Sequence, residues 1–295
     1  MADNFFQGAS ADWTNVANWS SGAAPVDTEE VFIDRSAQDL SSNLDQRSVA
    51  DIDLARLKLG GTYTGSIGSV ASALMLDDVT TLEVDLAGPH TQVISLDLDG
   101  VTDAVILGTG SNDYACYLKD GTYTNLYIVS GKVYIAAGMT ISGRLYLLPD
   151  SSRPPPEVYI ESGAAITGEI WAARGQIISD AAIAASRTIL TGTATFSQEG
   201  TSTVNVTNTI YMAGAAKLLI QCGVAATIGR IITCEDAYVD STLSPYLITF
   251  TNADAPGGRW STKASDNFTN APGINSHGAI QRSGTAATIV VPGFK

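Results

Sequence analysis

The chain has 295 residues, of which 45% are hydrophobic and only 16% charged, a composition that excludes an intrinsically disordered protein. Its 30 acidic and 16 basic residues give a net charge of −14, and the lysines and arginines are scattered singly, which argues against nucleic-acid binding. The sequence contains no run of 18 apolar residues and no charged N-terminal segment followed by an apolar stretch, so neither a membrane span nor a signal peptide is predicted.

Residues 1–50 are predicted to form an N-terminal arm and cap. A tryptophan, an Asn-Trp pair, a Gly…Pro turn, an aspartate and a first strand follow one another at Trp13, Asn18, Trp19, Gly22, Pro25, Asp27 and residues 31–33. This order resembles the opening segment of bacterial and phage β-solenoid surface proteins. The resemblance implies a solenoid displayed on a cell or particle surface. Because no signal peptide is predicted, it implies the phage-like version, a virion protein assembled in the host cytoplasm.

The aromatic side chains of this segment suit two roles. Trp13 and Trp19, with the turn at Pro25, could plug the open end of a coil stack, where unpaired backbone would invite aggregation. Alternatively, Phe5, Phe6, Trp13 and Trp19 form an arm that docks on a neighbouring protein of the particle. We expect the docking role for these four residues.

Residues 51–240 are predicted to form the solenoid itself. Residues 133–146 match residues 158–171 at a constant offset of 25, and a weaker third copy lies between residues 218 and 232. A glycine-punctuated repeat of this length is typical of one solenoid coil, and successive coils stack about 4.8 Å apart. The sequence therefore predicts an all-β fold, a right-handed parallel β-helix in which residues 25 apart, such as Tyr134 and Tyr159, lie over one another.

Within the repeat, one triplet recurs in which an aromatic residue stands between two aliphatic residues. Because strand side chains alternate between faces, aliphatic residues in the core would direct the aromatic ones outward. The outward set comprises Tyr127, Tyr134, Tyr146, Tyr159, Trp171 and Tyr211. An exposed apolar strip of this kind usually marks a binding surface. We expect it to be the interface of a homotrimer, although tyrosine and tryptophan also stack on sugars, which leaves glycan binding open.

Residues 241–295 lose the coil rhythm and are predicted to form a C-terminal cap or a small β-subdomain. Four prolines interrupt the segment, and residues 283–291 are rich in threonine and valine, as in a strand. The three cysteines, Cys116, Cys222 and Cys234, fit no metal-site spacing and are predicted to be reduced and buried.

Residues suited to catalysis are scarce. His90 and His277 stand in turn sequences, and we expect both on the surface. Asp97, Asp99 and Asp103 form the best acidic group, and alternation predicts that the first two lie on a solvated strand face. They would be the first carboxylates to test if the solenoid cleaved glycans. No catalytic residue, metal site or cofactor is predicted.

These features favour a non-enzymatic virion structural protein. The specific expectation is a trimeric capsid decoration (cement) protein of a bacteriophage, with the major capsid protein or other virion proteins as partners. Head decoration is favoured over a tail position because the solenoid is short and no coiled-coil stem is present. The alternative is a tail fibre or tailspike-type solenoid that binds or depolymerises polysaccharides.

Overall fold

The computed structural model describes residues 3–47, 52–86, 93–109, 115–200, 205–206, 209–254, 258–263, 266–270, 279–283 and 286–290. The predicted fold class is confirmed: the chain is all-β and forms a right-handed parallel β-helix. Over these ranges the helical content is a single 3-10 turn at Val16–Asn18.

The chain divides into two compact units. Unit 1 comprises residues 1–144 and 150–158, and unit 2 comprises residues 145–149 and 159–295. The strands of unit 1 are β1 (Asp3–Phe5), β2 (Glu30–Ile33), β3 (Leu54–Gly61), β4 (Leu74–Leu86), β5 (Ile94–Thr109), β6 (Ala115–Lys119), β7 (Thr122–Ile128) and β8 (Lys132–Ile135). Two strands, β9 (Thr140–Leu147) and β10 (Glu157–Ile160), are divided between the units.

The strands of unit 2 are short and numerous. They are β11 (Ala165–Ile166), β12 (Glu169–Ala172), β13 (Gln176–Ser179), β14 (Arg187–Leu190), β15 (Thr195–Gln198), β16 (Asn205–Val206), β17 (Thr209–Met212), β18 (Lys217–Ile220), β19 (Ala226–Thr233), β20 (Tyr238–Asp240), β21 (Ile248–Asp254), β22 (Arg259–Lys263), β23 (Asn267–Asn270), β24 (Ala279–Ser283) and β25 (Ala286–Val290).

β8 pairs with β10 and β9 with β12, as the 25-residue match predicts. Elsewhere the coil length departs from the expected period near 25. In unit 1 the offset between register partners is 27 residues where Asp3 lies opposite Glu30, and 17 where Tyr117 lies opposite Tyr134. In unit 2 the offsets run from 18 to 22 residues. The parallel ladder fixes which strand residues face each other, whereas the turns at the corners absorb insertions and deletions.

The aliphatic members of the recurring triplet fill the interior of the coils, as predicted. None exposes more than 3% of its surface; the set is Leu126, Ile128, Val133, Ile135, Leu145, Leu147, Val158, Ile160, Ile170, Ala172, Ile210 and Met212. Burying a valine, leucine, isoleucine or methionine side chain contributes about 1.5–3 kcal/mol. Repetition of this contribution from coil to coil stabilises each unit.

The N-terminal aromatic residues belong to the core of unit 1. Phe6, Trp13 and Trp19 are at most 3% exposed, and the Trp19 indole N–H donates a hydrogen bond to the Trp13 carbonyl over 2.7 Å. Phe5 is half-buried and stacks on Phe32 at 4.8 Å. Of the two predicted roles, these contacts support the plug at the end of the coil stack over the docking arm. Docking on a partner, the role we expected, would require the three buried rings to leave this core.

The parallel ladder extends beyond the predicted limits of 51 and 240. β2 pairs in parallel with β3, and β20 and β21 pair in parallel with β22 and β23. The ladder direction then reverses, since β25 lies antiparallel to both β22 and β24. β25 falls within residues 283–291, where a strand was predicted.

Candidate interaction surface

One outward row of apolar side chains runs along unit 2, and we call it the outer apolar row. It consists of Tyr146, Trp171, Ile189, Tyr211 and Ile232. In the parallel ladders Trp171 lies opposite Ile189, Ile189 opposite Tyr211, and Tyr211 opposite Ile232. The rings of Tyr146 and Trp171 meet edge to face, with centroids 5.7 Å apart. Aromatic and aliphatic residues therefore form one continuous surface feature.

Strand alternation creates the row. Ile170 and Ala172 are buried on either side of Trp171, so the indole is directed to the outside. Trp171 remains 40% exposed and Tyr211 39% exposed. The two rings are two coils apart, a separation of about 10 Å along the stack. Sequence reasoning identified the three aromatic members but missed Ile189 and Ile232, which carry no aromatic signal.

A cleft lies beside Trp171 on the same surface. Its walls include Tyr146, Leu148, Pro149 and Ile189, and it encloses about 400 Å³ including the solvent at its mouth. The lining is almost wholly apolar. Such a cleft suits an inserted apolar side chain better than a ligand that needs many hydrogen bonds.

Charge is distributed unevenly between the units. Unit 1 contains 21 acidic and 8 basic residues, a net charge of −13, whereas unit 2 contains 9 acidic and 8 basic residues, a net charge of −1. Beside the row, Arg187 and Glu169 form an ion pair at 2.7 Å and so neutralise each other. The outer apolar row therefore belongs to a unit with almost no net charge.

A second exposed apolar group on unit 2, missed by sequence reasoning, is the loop at residues 243–247. Leu243 is 59% exposed, Tyr246 48% and Leu247 41%, and Pro245 between them is also exposed. The prolines of the C-terminal segment predicted only a break in the coil rhythm. A signal was present in the placement of leucines and a tyrosine around a turn proline, where polar residues are usual.

The other aromatic residues of the predicted interface lie outside this row. Tyr134 stacks in parallel on Tyr117, with ring centroids 4.6 Å apart, and both are half-buried. Tyr127, opposite Val105 in unit 1, is half-buried as well. Tyr159 is half-buried and belongs to β10, which pairs with β13. Of the six predicted positions, only Trp171 and Tyr211 are exposed; the other four are half-buried.

The acidic group differs from its prediction. Asp97 is 5% exposed, because Arg47 covers it and donates a hydrogen bond from Nη1 to Asp97 Oδ1 over 3.1 Å. The same guanidinium also binds Asp99, which is exposed, and Asp103 accepts a hydrogen bond from Asn125 over 2.9 Å. Burial raises the pKa of Asp97, and the Arg47 charge opposes that rise. The predicted solvated face was thus wrong for Asp97, and an ion pair holds this carboxylate in place.

The cysteines are free, and Cys116 and Cys222 are buried, as predicted, whereas Cys234 is half-buried. Burial raises the pKa of the Cys116 thiol to about 12, which keeps it protonated and unreactive at neutral pH.

The predicted surface positions of His90 and His277 lie outside the described residues. Within the described part of the chain, no three His, Cys, Asp or Glu side chains converge as metal ligands.

Comparisons with protein-family models, with curated proteins and with solved structures gave no match to the chain. Over the described ranges, no helix has the length and hydropathy needed to cross a bilayer.

Proposed function

We propose that the protein is a non-enzymatic structural protein whose copies associate through the outer apolar row of unit 2. The observation that carries this proposal is the exposure of Trp171 and Tyr211, at 40% and 39%, in one continuous apolar row. Contiguous exposed apolar surface on a soluble chain usually marks an interaction site. Tryptophan and tyrosine are also the residues that most often dominate binding energy at protein interfaces.

The specific form of the proposal is a homotrimeric capsid decoration protein of a bacteriophage, bound to the major capsid protein. Its support is the resemblance of residues 13–33 to phage β-solenoid surface proteins and the solenoid fold itself. A cyclic trimer also suits a particle of high symmetry. The charge distribution favours contact at unit 2, because copies with a net charge of −14 approach each other most easily at their least charged part.

The tailspike-type alternative places different demands on the molecule. Depolymerisation of a polysaccharide requires carboxylates free to donate and accept protons, and Asp97 would first have to leave Arg47. Non-catalytic glycan binding could use Trp171 and Tyr211 as stacking platforms. It would also need polar partners for the sugar hydroxyls, and the cleft beside Trp171 is lined almost entirely by apolar groups.

The mass of the protein in solution tests self-association. Light scattering after size exclusion should give three times the chain mass of 30.7 kDa. The double variant Trp171→Ala with Tyr211→Ala should run as a monomer with an unchanged circular dichroism spectrum. As a matched control, Val26→Ser with Val70→Ser removes two exposed apolar side chains from unit 1 and should leave the trimer intact. A monomeric wild-type protein at every concentration measured would overturn self-association.

The capsid assignment needs a separate measurement. Purified protein should co-sediment with capsids assembled from the major capsid protein of the same phage, and at saturation it should occupy symmetry-related positions in reconstructions of the particle. Failure to bind such capsids, together with retention on a glycan array, would replace the capsid role by glycan binding.

A further inference from the structure

We infer that the contact between copies is heterologous: the loop at residues 243–247 of one copy inserts into the cleft beside Trp171 of the next. This inference deepens the proposed function and rests on it. A closed ring of three requires two different patches on each copy, because each copy contacts its two neighbours through different surfaces. Unit 2 offers two such patches.

The two patches together account for the exposed large apolar residues described in unit 2. Trp171 and Tyr211 belong to the outer apolar row, and Leu243, Tyr246 and Leu247 belong to the loop. The row lies on strands β9, β12, β14, β17 and β19, whereas the loop connects β20 to β21. They are therefore distinct surfaces on one unit, as a head-to-tail contact requires.

Hydrogen bonds hold the loop in a defined conformation. The Ser244 hydroxyl donates to the Cys222 carbonyl over 2.9 Å, and the Ser241 hydroxyl donates to the buried Asp266 carboxylate over 2.6 Å. The Tyr246 N–H donates to Ser244 Oγ over 3.3 Å. Since the loop is already ordered, little conformational entropy would be lost when its apolar side chains enter a cleft.

Chemistry and charge match the loop to the cleft of another copy. Residues 243–247 read Leu-Ser-Pro-Tyr-Leu and carry no charge at neutral pH. The cleft presents Tyr146, Leu148, Pro149 and Trp171, which are also uncharged. Both lie on unit 2, with its net charge of −1, so the contact brings two nearly neutral units together. An acidic or basic partner would gain nothing from either patch, whereas a second copy supplies both.

Mixing two variants tests the inference. The loop variant, Tyr246→Ser with Leu247→Ser, and the cleft variant, Trp171→Ala, should each raise the dissociation constant at least about tenfold and run as monomers. Mixed in equal amounts, they should form dimers of twice the 30.7 kDa chain mass. The cleft variant retains a wild-type loop and the loop variant retains a wild-type cleft, so one good contact remains but no ring can close.

Each other outcome is decisive. The loop variant could still form trimers as stable as those of the wild-type protein, as could a second loop variant, Leu243→Ser with Tyr246→Ser. That result would overturn the heterologous contact and leave self-association through the row standing. Two monomeric variants that do not pair on mixing would show that the loop of one copy does not bind the cleft of the next, which also overturns the inference. Failure of the proposed function is separate, since it appears as a monomeric wild-type protein. Circular dichroism and the thermal midpoint confirm that each variant is folded.

Discussion

Gly121 and Gly22 adopt the same left-handed backbone conformation, with φ of 74° and 75°, but in different surroundings. A Cβ added to Gly121 would lie 1.8 Å from the Leu98 carbonyl oxygen of the adjacent coil, whereas one added to Gly22 would meet no atom within 4 Å. Both substitutions to alanine carry the strain of a positive φ, and only the first also forces the coils apart.

We therefore expect Gly121→Ala to lower the free energy of unfolding by about 3 kcal/mol or more, and Gly22→Ala by about 1 kcal/mol. Urea unfolding of the two variants, followed by circular dichroism, measures the difference. Equal losses would mean that close contact between coils contributes nothing at Gly121.

The ionisation of the Glu83 carboxyl group makes the stability of the folded protein depend on pH. Burial raises the pKa of its carboxyl group, but hydrogen bonds and charges from Lys58 and Arg56 outweigh burial and hold the pKa below its ordinary value of 4.5. A lowered pKa stabilises the folded state above the ordinary value, and that stabilisation is lost as pH falls through the folded-state pKa.

Glu83→Gln should accordingly reduce the free energy of unfolding by about 1 kcal/mol near neutral pH, since the two cations are partly exposed. The difference from wild type should shrink as the pH falls below 4.5 and through the lower folded-state pKa. Urea unfolding at neutral pH and at a series of acidic pH values measures it. The exposed Glu161, changed to glutamine, is the control and should cost little stability at neutral pH. A Glu83→Gln deficit that persists in acid would point to lost packing.

At the scale of strands and coils, much of the fold was predictable because side chains alternate between the buried and the outward face of each strand. The triplet around Tyr134 predicts buried Val133 and Ile135 and an outward ring, and the structure confirms this arrangement. Coil length was not predictable from a 25-residue match, because Tyr117 and Tyr134 are register partners only 17 residues apart. The turns between strands can change in length without disturbing the ladder, so one offset does not transfer to the next coil.

The candidate surface was predictable only in part, for a related reason. Alternation shows that a side chain points outward but does not reveal what covers it afterwards. Arg47 lies 50 residues before Asp97 and buries it, and Tyr117 covers one face of Tyr134. Trp171 and Tyr211 stay exposed, with the smaller Ile189 between them in the ladder. Such contacts are non-local, and only the register of the coils brings them together.

The N-terminal aromatic plug gives a prediction at this scale. Trp13→Ala should lower the free energy of unfolding by about 4 kcal/mol, because the ring is fully buried and contacts Trp19 at 4.8 Å between ring centroids. Phe5→Ala, at a half-buried position, should cost about 1 kcal/mol. Urea unfolding measures both.

This difference decides how docking by the N-terminal segment should be tested. A variant that lacks both Trp13 and Trp19 would lose particle attachment through unfolding alone, whereas Phe5→Ala preserves the fold and probes docking directly. Small, equal losses of stability in Trp13→Ala and Phe5→Ala would contradict the plug and favour the role of the segment as a docking arm.

On the scale of the whole molecule, opposing forces govern self-association. The chain carries a net charge of −14, almost all of it in unit 1, so identical copies repel one another. The patches proposed to join them are apolar and uncharged. Repulsion weakens as ionic strength rises, since the screening length falls from about 30 Å at 0.01 M to about 10 Å at 0.1 M salt. Apolar contact is not weakened by screening.

Added sodium chloride should therefore tighten the trimer. We expect the dissociation constant to fall several-fold between about 0.02 and 0.5 M salt, as measured by sedimentation equilibrium. The variant Trp171→Ala with Tyr211→Ala should remain monomeric throughout this range, because screening removes repulsion but supplies no contact. If salt instead dissociates the trimer, attraction between opposite charges holds the copies together. The interface would then have to involve charged groups such as the Glu169–Arg187 pair, and the apolar patches of unit 2 would need another partner.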